Sequence, residues 1–451
     1  MKWNSIVVAL ISLLILVGCG KKATEITSAP TSDTQAGIIA SCTSSSQALS
    51  LSKELGIQYR IINEERKLIE FVGIDEAALA QKLPKAKLIK NKIYNPKLIS
   101  GDFEAQSVSN IQFYGAHAAQ MRSNSTARYF PHLNQIDALS DTSSLGAGVV
   151  IAVVDTGVYY NHPHLSPNIL TNESDKHGNN ANNFDDDGNG YTDDYVGWDF
   201  YNGDAYPIDD NGHGSHVAGL AASTYMGVAP LAKILPVKVL SADGRGDLGT
   251  IAAGILYAVD RGAHVINLSL GGSASGGITN EIRNLISMVQ IAKDRNSLII
   301  AAAGNGGFDG VGDCNDNSPV YPANIQEENV ISVASVDLYN RLTSYSNFGG
   351  GSVHVAAPGG DRYTGGLSSV AIPYCNGPCS SNETPYTSNM GTSMAAPVVA
   401  GIAAVLKSKR MNLTHKQIKN IIMRTSSNEM ELNGLIQSGG VVNLWAALNS
   451  I

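Results

Sequence analysis

Cysteine is scarce in this chain, five in 451 residues, which excludes a fold stapled by disulfides. Charge is scarce too. Only 16% of residues are charged and the net charge is −8, which excludes the dense basic surface that nucleic acid requires. There is one long apolar run, at the N-terminus, so a polytopic membrane protein is excluded. No internal repeat is present, which excludes solenoids and propellers. What is plentiful is glycine, 46 residues, and apolar side chains at 43%. That apolar share excludes disorder for most of the chain and can build a large core.

The first residues read as an address. Lys2 precedes an apolar run at 6–17, broken only by Ser12, and the small Gly18 and Cys19 follow. A run this short falls below the roughly 20 residues that span a bilayer, so it reads as a secretory signal over 1–18. Leu16-Val17-Gly18-Cys19 resembles the bacterial lipobox, which implies a lipid on Cys19 and a membrane attachment. The protein is then expected outside the inner membrane, at the outer membrane or cell surface. Residues 19–50 are rich in Ser, Thr and Ala and read as a flexible tether.

The pattern changes after residue 50. Strand-like runs at 58–62 and 67–72 flank the polar Asn63-Glu64-Glu65-Arg66, which suits a hairpin. Asp75 is placed to cap a helix over 76–82, and 87–93 has the pattern of a further strand. A β–β–α–β module therefore occupies 51–100, and 101–129 reads as a linker. Residues 1–100 carry 13 Lys and Arg against 8 Asp and Glu, while the remainder carries 18 against 31. A basic module beside an acidic body suits docking between them.

From 130 onward, apolar strands alternate with helical stretches. Strand runs fall at 148–154, 233–240, 264–270, 298–303, 329–335 and 353–357. Helical stretches fall at 214–223, 248–261, 280–296 and 392–409. This alternation predicts an α/β domain over 130–451, a parallel sheet with helices on both faces. Functional residues then belong outside the carboxyl ends of the strands.

Three polar residues stand where such a sheet would place a site. Asp155 ends the first apolar strand in Asp155-Thr156-Gly157. His213 opens a helix in Gly212-His213-Gly214-Ser215-His216, and Ser393 opens another in Gly391-Thr392-Ser393-Met394. A serine hydroxyl needs an imidazole to take its proton, and the imidazole needs a carboxylate to fix its tautomer. The chain order Asp, His, Ser distinguishes this set from the other arrangements of the same chemistry. These motifs resemble those of the subtilisin-like serine peptidases, with Ser215 where the family usually has Thr.

The resemblance extends over about 130–451. It implies a subtilisin-like fold and an acyl-enzyme mechanism with Asp155, His213 and Ser393. Ala301-Ala302-Ala303-Gly304-Asn305 resembles the family segment whose Asn side chain lines the oxyanion hole. The second donor there is expected to be the backbone N–H of Ser393, at a helix N-terminus. Ser269-Leu270-Gly271-Gly272 resembles the family's substrate-binding edge, facing 244–248. Ser269, Leu270, Gly271 and Gly304 are thereby assigned to substrate binding, the last three around an open, apolar pocket. The landmarks Tyr321-Pro322-Ala323, Ala356-Ala357-Pro358-Gly359 and Gly440-Val441-Val442-Asn443 also match. By the same resemblance the 51–100 module is a propeptide that inhibits the site until a cut within 101–129. A monomer acting on polypeptides is implied, with its own propeptide as a second partner.

Asp185 to Asp194 packs acids around two glycines. Asp185, Asp187, Asn189 and Asp193 stand at positions 1, 3, 5 and 9 of a calcium-loop spacing, with Val196 instead of Glu at position 12. These four are the expected ligands of a structural Ca²⁺. Besides Cys19, the cysteines are Cys42, Cys314, Cys375 and Cys379. Cys375 can pair with Cys379, or Cys314 with either, and sequence leaves the pairing open. His162, His164 and His177 show no metal-ligand spacing and read as surface or turn residues. Two other functions fit parts of the pattern: a calcium-dependent, non-catalytic surface binding protein on the same fold, and an esterase. The intact Asp-His-Ser set opposes the first, and a peptide-binding edge opposes the second.

Overall fold

The computed structural model describes residues 38–40, 43, 45–63, 68–72, 76–84, 88–90, 130–140, 145–175, 182–274, 277–307, 309–373 and 386–451. The expected signal, Cys19, the linker 101–129, His177 and the Cys375–Cys379 segment lie outside these. No helix among the described residues is long and apolar enough to cross a membrane.

A small sheet is built first. Strand β1 (Ile38–Ala40), helix α1 (Ser45–Leu55), strands β2 (Gln58–Asn63) and β3 (Leu68–Val72), helix α2 (Glu76–Lys82) and strand β4 (Leu88–Lys90) follow in order. The strands lie in the order β2-β3-β1-β4, each antiparallel to its neighbour. This is a β-α-β-β-α-β ferredoxin-like arrangement. Ala48 and Leu51 of α1 and Leu79 of α2 bury against Phe71 of β3. The module thus reaches upstream of residue 51, into the stretch that reads as a tether. The reason is local. A strand of three residues is too short to show a period, and the apolar stripe of α1 is spaced among serines.

The larger sheet has nine strands. Its first long member is β5 (Val150–Asp155), followed by β6 (Trp198–Asp199), β7 (Lys233–Lys238), β8 (Val265–Leu268), β10 (Leu298–Ala302), β12 (Val330–Val336) and β13 (Val355–Pro358). The edge is completed by β16 (Ser427–Asn428) and β17 (Gly440–Val441). The order is β16-β17-β13-β12-β10-β8-β5-β7-β6. Every pairing is parallel except β16 with β17. Two short antiparallel pairs stand apart, β9 (Gly272–Ser273) with β11 (Val320–Tyr321) and β14 (Leu367–Val370) with β15 (Tyr386–Asn389).

Alternation along β5 sets the layers. Ile151 and Val153 enter one apolar cluster while Ala152 and Val154 enter another, as a strand with covered faces requires. The first cluster holds the helices α4 (His213–Ala222), α7 (Thr392–Lys409) and α8 (His415–Thr425), with the short α3 (Pro131–Gln135) and α9 (Leu444–Leu448). The second holds α5 (Leu248–Asp260) and α6 (Asn280–Asp294). An α/β sheet covered on both faces is what the sequence pattern predicts. His162 lies in a turn, one of its two expected positions, but not at the surface. It is fully buried, in ring contact with Tyr159, His164 and Tyr386. Two polar residues and a proline around it hid its burial from pattern reading.

Candidate active site

The carboxyl ends of β5, β8 and β10 and the N-termini of α4 and α7 converge on one cleft of about 1070 Å³. Asp155 ends β5 and is fully buried. Its Oδ1 accepts from the Thr156 N–H (2.7 Å) and from His213 Nδ1 (2.7 Å). Its Oδ2 is buried and has no hydrogen-bond partner among the described residues. The imidazole is only 28% exposed. Burial pulls the His213 pKa down, but the Asp155 charge, its hydrogen bond and the more distant Asp209 charge outweigh burial. The net shift is upward from 6.5.

Close approach of the two motifs depends on Gly214. A Cβ there would lie 2.0 Å from the Gly157 carbonyl oxygen and 3.2 Å from Asp155 Cβ. No side chain fits. The turn into α4 is held by Asp209, a residue that sequence reasoning missed. Its Oδ1 accepts from Thr156 Oγ1 (2.8 Å) and from the N–H groups of Asn211 (3.0 Å) and Gly212 (2.8 Å). Its Oδ2 accepts from the Ser215 N–H (2.8 Å) and Oγ (2.6 Å). One buried carboxylate therefore ties the Asp155 turn to the His213 turn. Ser215, where the family has Thr, makes both of its contacts to Asp209 with groups that Thr shares. The acid-rich Asp209-Asp210 pair just before a Gly-His turn was the available signal.

Lys238 adds a second tie. It pairs in register with Asp155 and is 1% exposed. Its Nζ donates to the Thr156 and Leu240 carbonyls (both 2.8 Å) and to Asp210 (2.7 Å). The charge is thus fully solvated by protein oxygens, as a buried ammonium requires.

Ser393 is the second residue of α7, four residues before Pro397. A proline has no N–H, so the Ser393 carbonyl loses its helical partner. Ser269 Oγ donates to it instead (2.7 Å), and Ser393 Oγ donates back to the Ser269 carbonyl (3.1 Å). Pro397 in the motif thereby pins the helix start to the end of β8. Asn305 is held by the same helix terminus. Its Oδ1 accepts from the Thr392 N–H (2.8 Å) and Oγ1 (2.9 Å), using one of the helix's orphan donors. That bonding leaves the exposed Nδ2 as the free end of the amide, on a cleft lined also by His213 and Ser393.

Ser269, Leu270, Gly271 and Gly304 line the same cleft. A Cβ at Gly304, whose φ is +113°, would lie 2.5 Å from Asn347 Nδ2. The lining differs from the expected apolar pocket in one respect. Asp313, on the segment that follows Asn305, is part of it.

The acidic loop is separate from the cleft lining. Asp185 and Asp187 come together with Asp175, with carboxylate oxygens within 4.8 Å of one another. Asp175 is buried and was not expected there. Asp193, an expected ligand, turns its oxygens to the Asn182 (3.2 Å) and Asn183 (2.9 Å) N–H groups of the same loop. Asn189, also expected there, hydrogen-bonds within the same loop. Its Oδ1 accepts from the Tyr191 N–H (2.7 Å), and its Nδ2 donates to Asp187 and Asp194 (both 3.2 Å). Burial and a hydrogen bond to Asp194 push the Asp175 pKa up. Three carboxylates at this spacing, two of them exposed to some degree, fit a hard cation bound through oxygen. Cys314 is disulfide-bonded, and its partner lies outside the described residues.

A parallel α/β sheet with this arrangement at its carboxyl edge defines a serine hydrolase class, and comparison with known proteins narrows it. The profile of the Subtilase family, peptidase S8, matches residues 146–441. Thermitase of Thermoactinomyces vulgaris is 34% identical over 330 residues, which cover 72% of this chain and 96% of thermitase. Subtilisin BL of Lederbergia lenta is 34% identical, covering 69% of this chain and 95% of that protein. A thermophilic serine proteinase of Bacillus sp. (strain AK1) is 36% identical, covering 66% of this chain and 61% of its own. The crystal structure of a cold-adapted subtilisin-like serine proteinase superposes with a TM-score of 0.50 at 28% identity, covering 67% of this chain and 89% of that one. The chain belongs to the subtilase family and is a serine endopeptidase.

Proposed function

We propose that this endopeptidase works through Asp155, His213 and Ser393, is exported with a lipid on Cys19, and is made as a zymogen. The observation that carries the reading is the 2.7 Å contact of Asp155 with His213 Nδ1, beside Ser393 and Asn305 on one cleft. Asp155 holds the Nδ1–H tautomer, which leaves Nε2 as the base. Rotation of the Ser393 hydroxyl away from the Ser269 carbonyl delivers its proton to Nε2 as the oxygen attacks the scissile carbonyl. Asn305 Nδ2 and the Ser393 N–H then hold the oxyanion. A side-chain donor in this role contributes roughly 3–4 kcal/mol, a figure established on subtilisin itself. His213 passes the proton to the leaving amine, and water resolves the acyl-enzyme by the reverse route. Substrate adds to the strand edge at 269–272 through main-chain hydrogen bonds, which makes polypeptides the substrate class.

The small sheet at 38–90 is the propeptide in this reading, with maturation in the segment that follows. Maturation would release the enzyme from its anchor, and mature enzyme still joined to an acylated N-terminus contradicts that part. Asp175, Asp185 and Asp187 are the proposed holders of a Ca²⁺ that stabilises the loop and takes no part in hydrolysis.

The test is the intact mass of the chain, expressed without its signal, beside its Ser393→Ala variant. The parent is expected to lose its first ~100 residues, in line with a propeptide of typical small-domain size, and to digest casein with calcium present. The variant does neither. If both remain full length and neither cuts casein, the catalytic reading fails and a calcium-dependent binding protein becomes the better account.

A further inference from the structure

The cleft carries a carboxylate that the hydrolytic steps do not use. Asp313 is half-buried and lines the cleft together with His213, Asn305 and Ser393. Its backbone is fixed. The Asp313 N–H donates to Asn347 Oδ1 (2.9 Å), the same oxygen that accepts from the Gly306 N–H (2.7 Å). Asp313 therefore belongs to the wall that carries Asn305. The next residue, Cys314, is fully buried and disulfide-bonded, and Asn315 Nδ2 donates to the Ala303 carbonyl (2.8 Å). The backbone that carries the Asp313 side chain is thereby held in place on the cleft wall.

The space in front of it is open. Gly307, which also lines the cleft, carries no side chain to cover the carboxylate, and a Cβ there would stand 3.9 Å from Asp313 Oδ2. Among the described residues the carboxylate has no side-chain hydrogen bond and no ion pair. Other buried or half-buried acids are satisfied, Asp194, Asp337 and Glu327 by a cation and Asp209 by five N–H and O–H donors. The other charged lining residues are His213 and Arg245. Arg245 is exposed on the far rim, between Gly244 near Asn211 and Gly246 near Leu240. It leaves the Asp313 end of the cleft negative.

We infer that this enzyme prefers a lysine or arginine immediately before the cut, with Asp313 as the partner of its charged tip. The inference rests on the peptidase reading above and names its substrate class. A long basic side chain lays its methylene stem along the apolar and glycine surface and brings its charge to a carboxylate that is otherwise unpaired. A neutral side chain of equal length would fill the same space and leave Asp313 without a partner.

The experiment compares kcat/KM for peptides that differ only in the residue before the cut: lysine, arginine, norleucine and phenylalanine. Norleucine matches the lysine stem without its charge. The parent enzyme is expected to favour lysine or arginine over norleucine by about tenfold, the scale of a partly desolvated ion pair. That ratio should fall as salt rises, and in Asp313→Asn it should fall to about one. The parent ratio and its salt dependence are readable even if the variant does not fold. Norleucine or phenylalanine cleaved as well as lysine overturns the inference while the peptidase reading stands, as does a preference that survives Asp313→Asn. An enzyme that cleaves no peptide at all overturns both.

Discussion

Carboxylates crowd together in two regions of this molecule, and the two regions solve the problem differently. At the cleft, Asp155 and Asp209 are buried among N–H and O–H donors and one imidazole. Their donors come from a strand end and a helix start, which present unpaired N–H groups by construction. Where Asp175 meets the loop at 182–194, its carboxylate and those of Asp185 and Asp187 share a space of a few ångströms. Arg261, whose charge is felt at Asp187, is committed to Asp194. In the first region an imidazole sits against one carboxylate, whereas in the second no cation is in ion-pair contact with Asp175, Asp185 or Asp187 among the described residues. One region tunes a base, and the other fits the Ca²⁺ proposed above.

The sharpest way to break the comparison is Asp155→Asn. It keeps the shape but removes the charge that raises the His213 pKa and reverses the tautomer. A fall in kcat on the order of 10⁴-fold is expected with KM nearly unchanged, and steady-state kinetics on one peptide would check it. Asp209→Asn comes next. It places an amide among five donors and loosens the link between the two turns, so a loss of about 10²-fold is expected, the scale of a small misplacement. Because Asp209 acts through His213, this variant should also move the rising limb of the pH profile to lower pH. A purely structural role would lower the rate without moving the limb.

The acidic loop should behave in the opposite sense. Chelation of calcium, or Asp185→Asn with Asp187→Asn, is expected to lower the melting temperature by about 5 °C. Activity at temperatures well below melting should be untouched. Loss of activity in step with chelation at low temperature would show that the two regions are not independent.

Proton linkage gives the smallest effect and the finest comparison, between two histidines on one helix. The folded pKa of His213 lies above 6.5, so activity should fall as pH drops through that raised value. The same shift means that His213 contributes stability below pH 6.5 and loses it as pH rises through the folded value. His216, three residues on, is buried with Nε2 on the Leu367 carbonyl, and burial lowers its pKa to about 3. His132 is lowered by burial to about 4. Each stays neutral in the fold while its unfolded form takes a proton below pH 6.5, so stability is lost as pH falls from 6.5 toward 3–4. Urea unfolding midpoints at pH 7 and pH 5 should therefore differ, with the lower midpoint at pH 5. An equal or higher midpoint at pH 5 would contradict the burial account of these two residues.

The sequence displays most of the sheet, because strands buried on both faces leave continuous apolar runs that end at the right residues. The ends of β5 and the starts of α4 and α7 were legible for the same reason. What stayed hidden depends on contacts between segments remote in the chain. Asp175 joins Asp185 and Asp187 only after the loop closes, and Asp313 enters the cleft through Asn347, 34 residues away. Asp209 is close to His213 in sequence, yet its role appears only when Thr156 and Ser215 converge on it. Strand β1 and helix α1 escaped because a three-residue strand has no readable period and the apolar positions of α1 sit among serines.

The central claim is that Ser393 becomes covalently acylated because His213, held by Asp155, takes its proton. Mass mapping after reaction with a serine-directed fluorophosphonate tests it most directly. The account predicts one adduct, on Ser393, formed in parallel with loss of peptide hydrolysis, and labelling slowed strongly in Asp155→Asn. An adduct elsewhere, or full hydrolysis by protein whose Ser393 is modified, would contradict it.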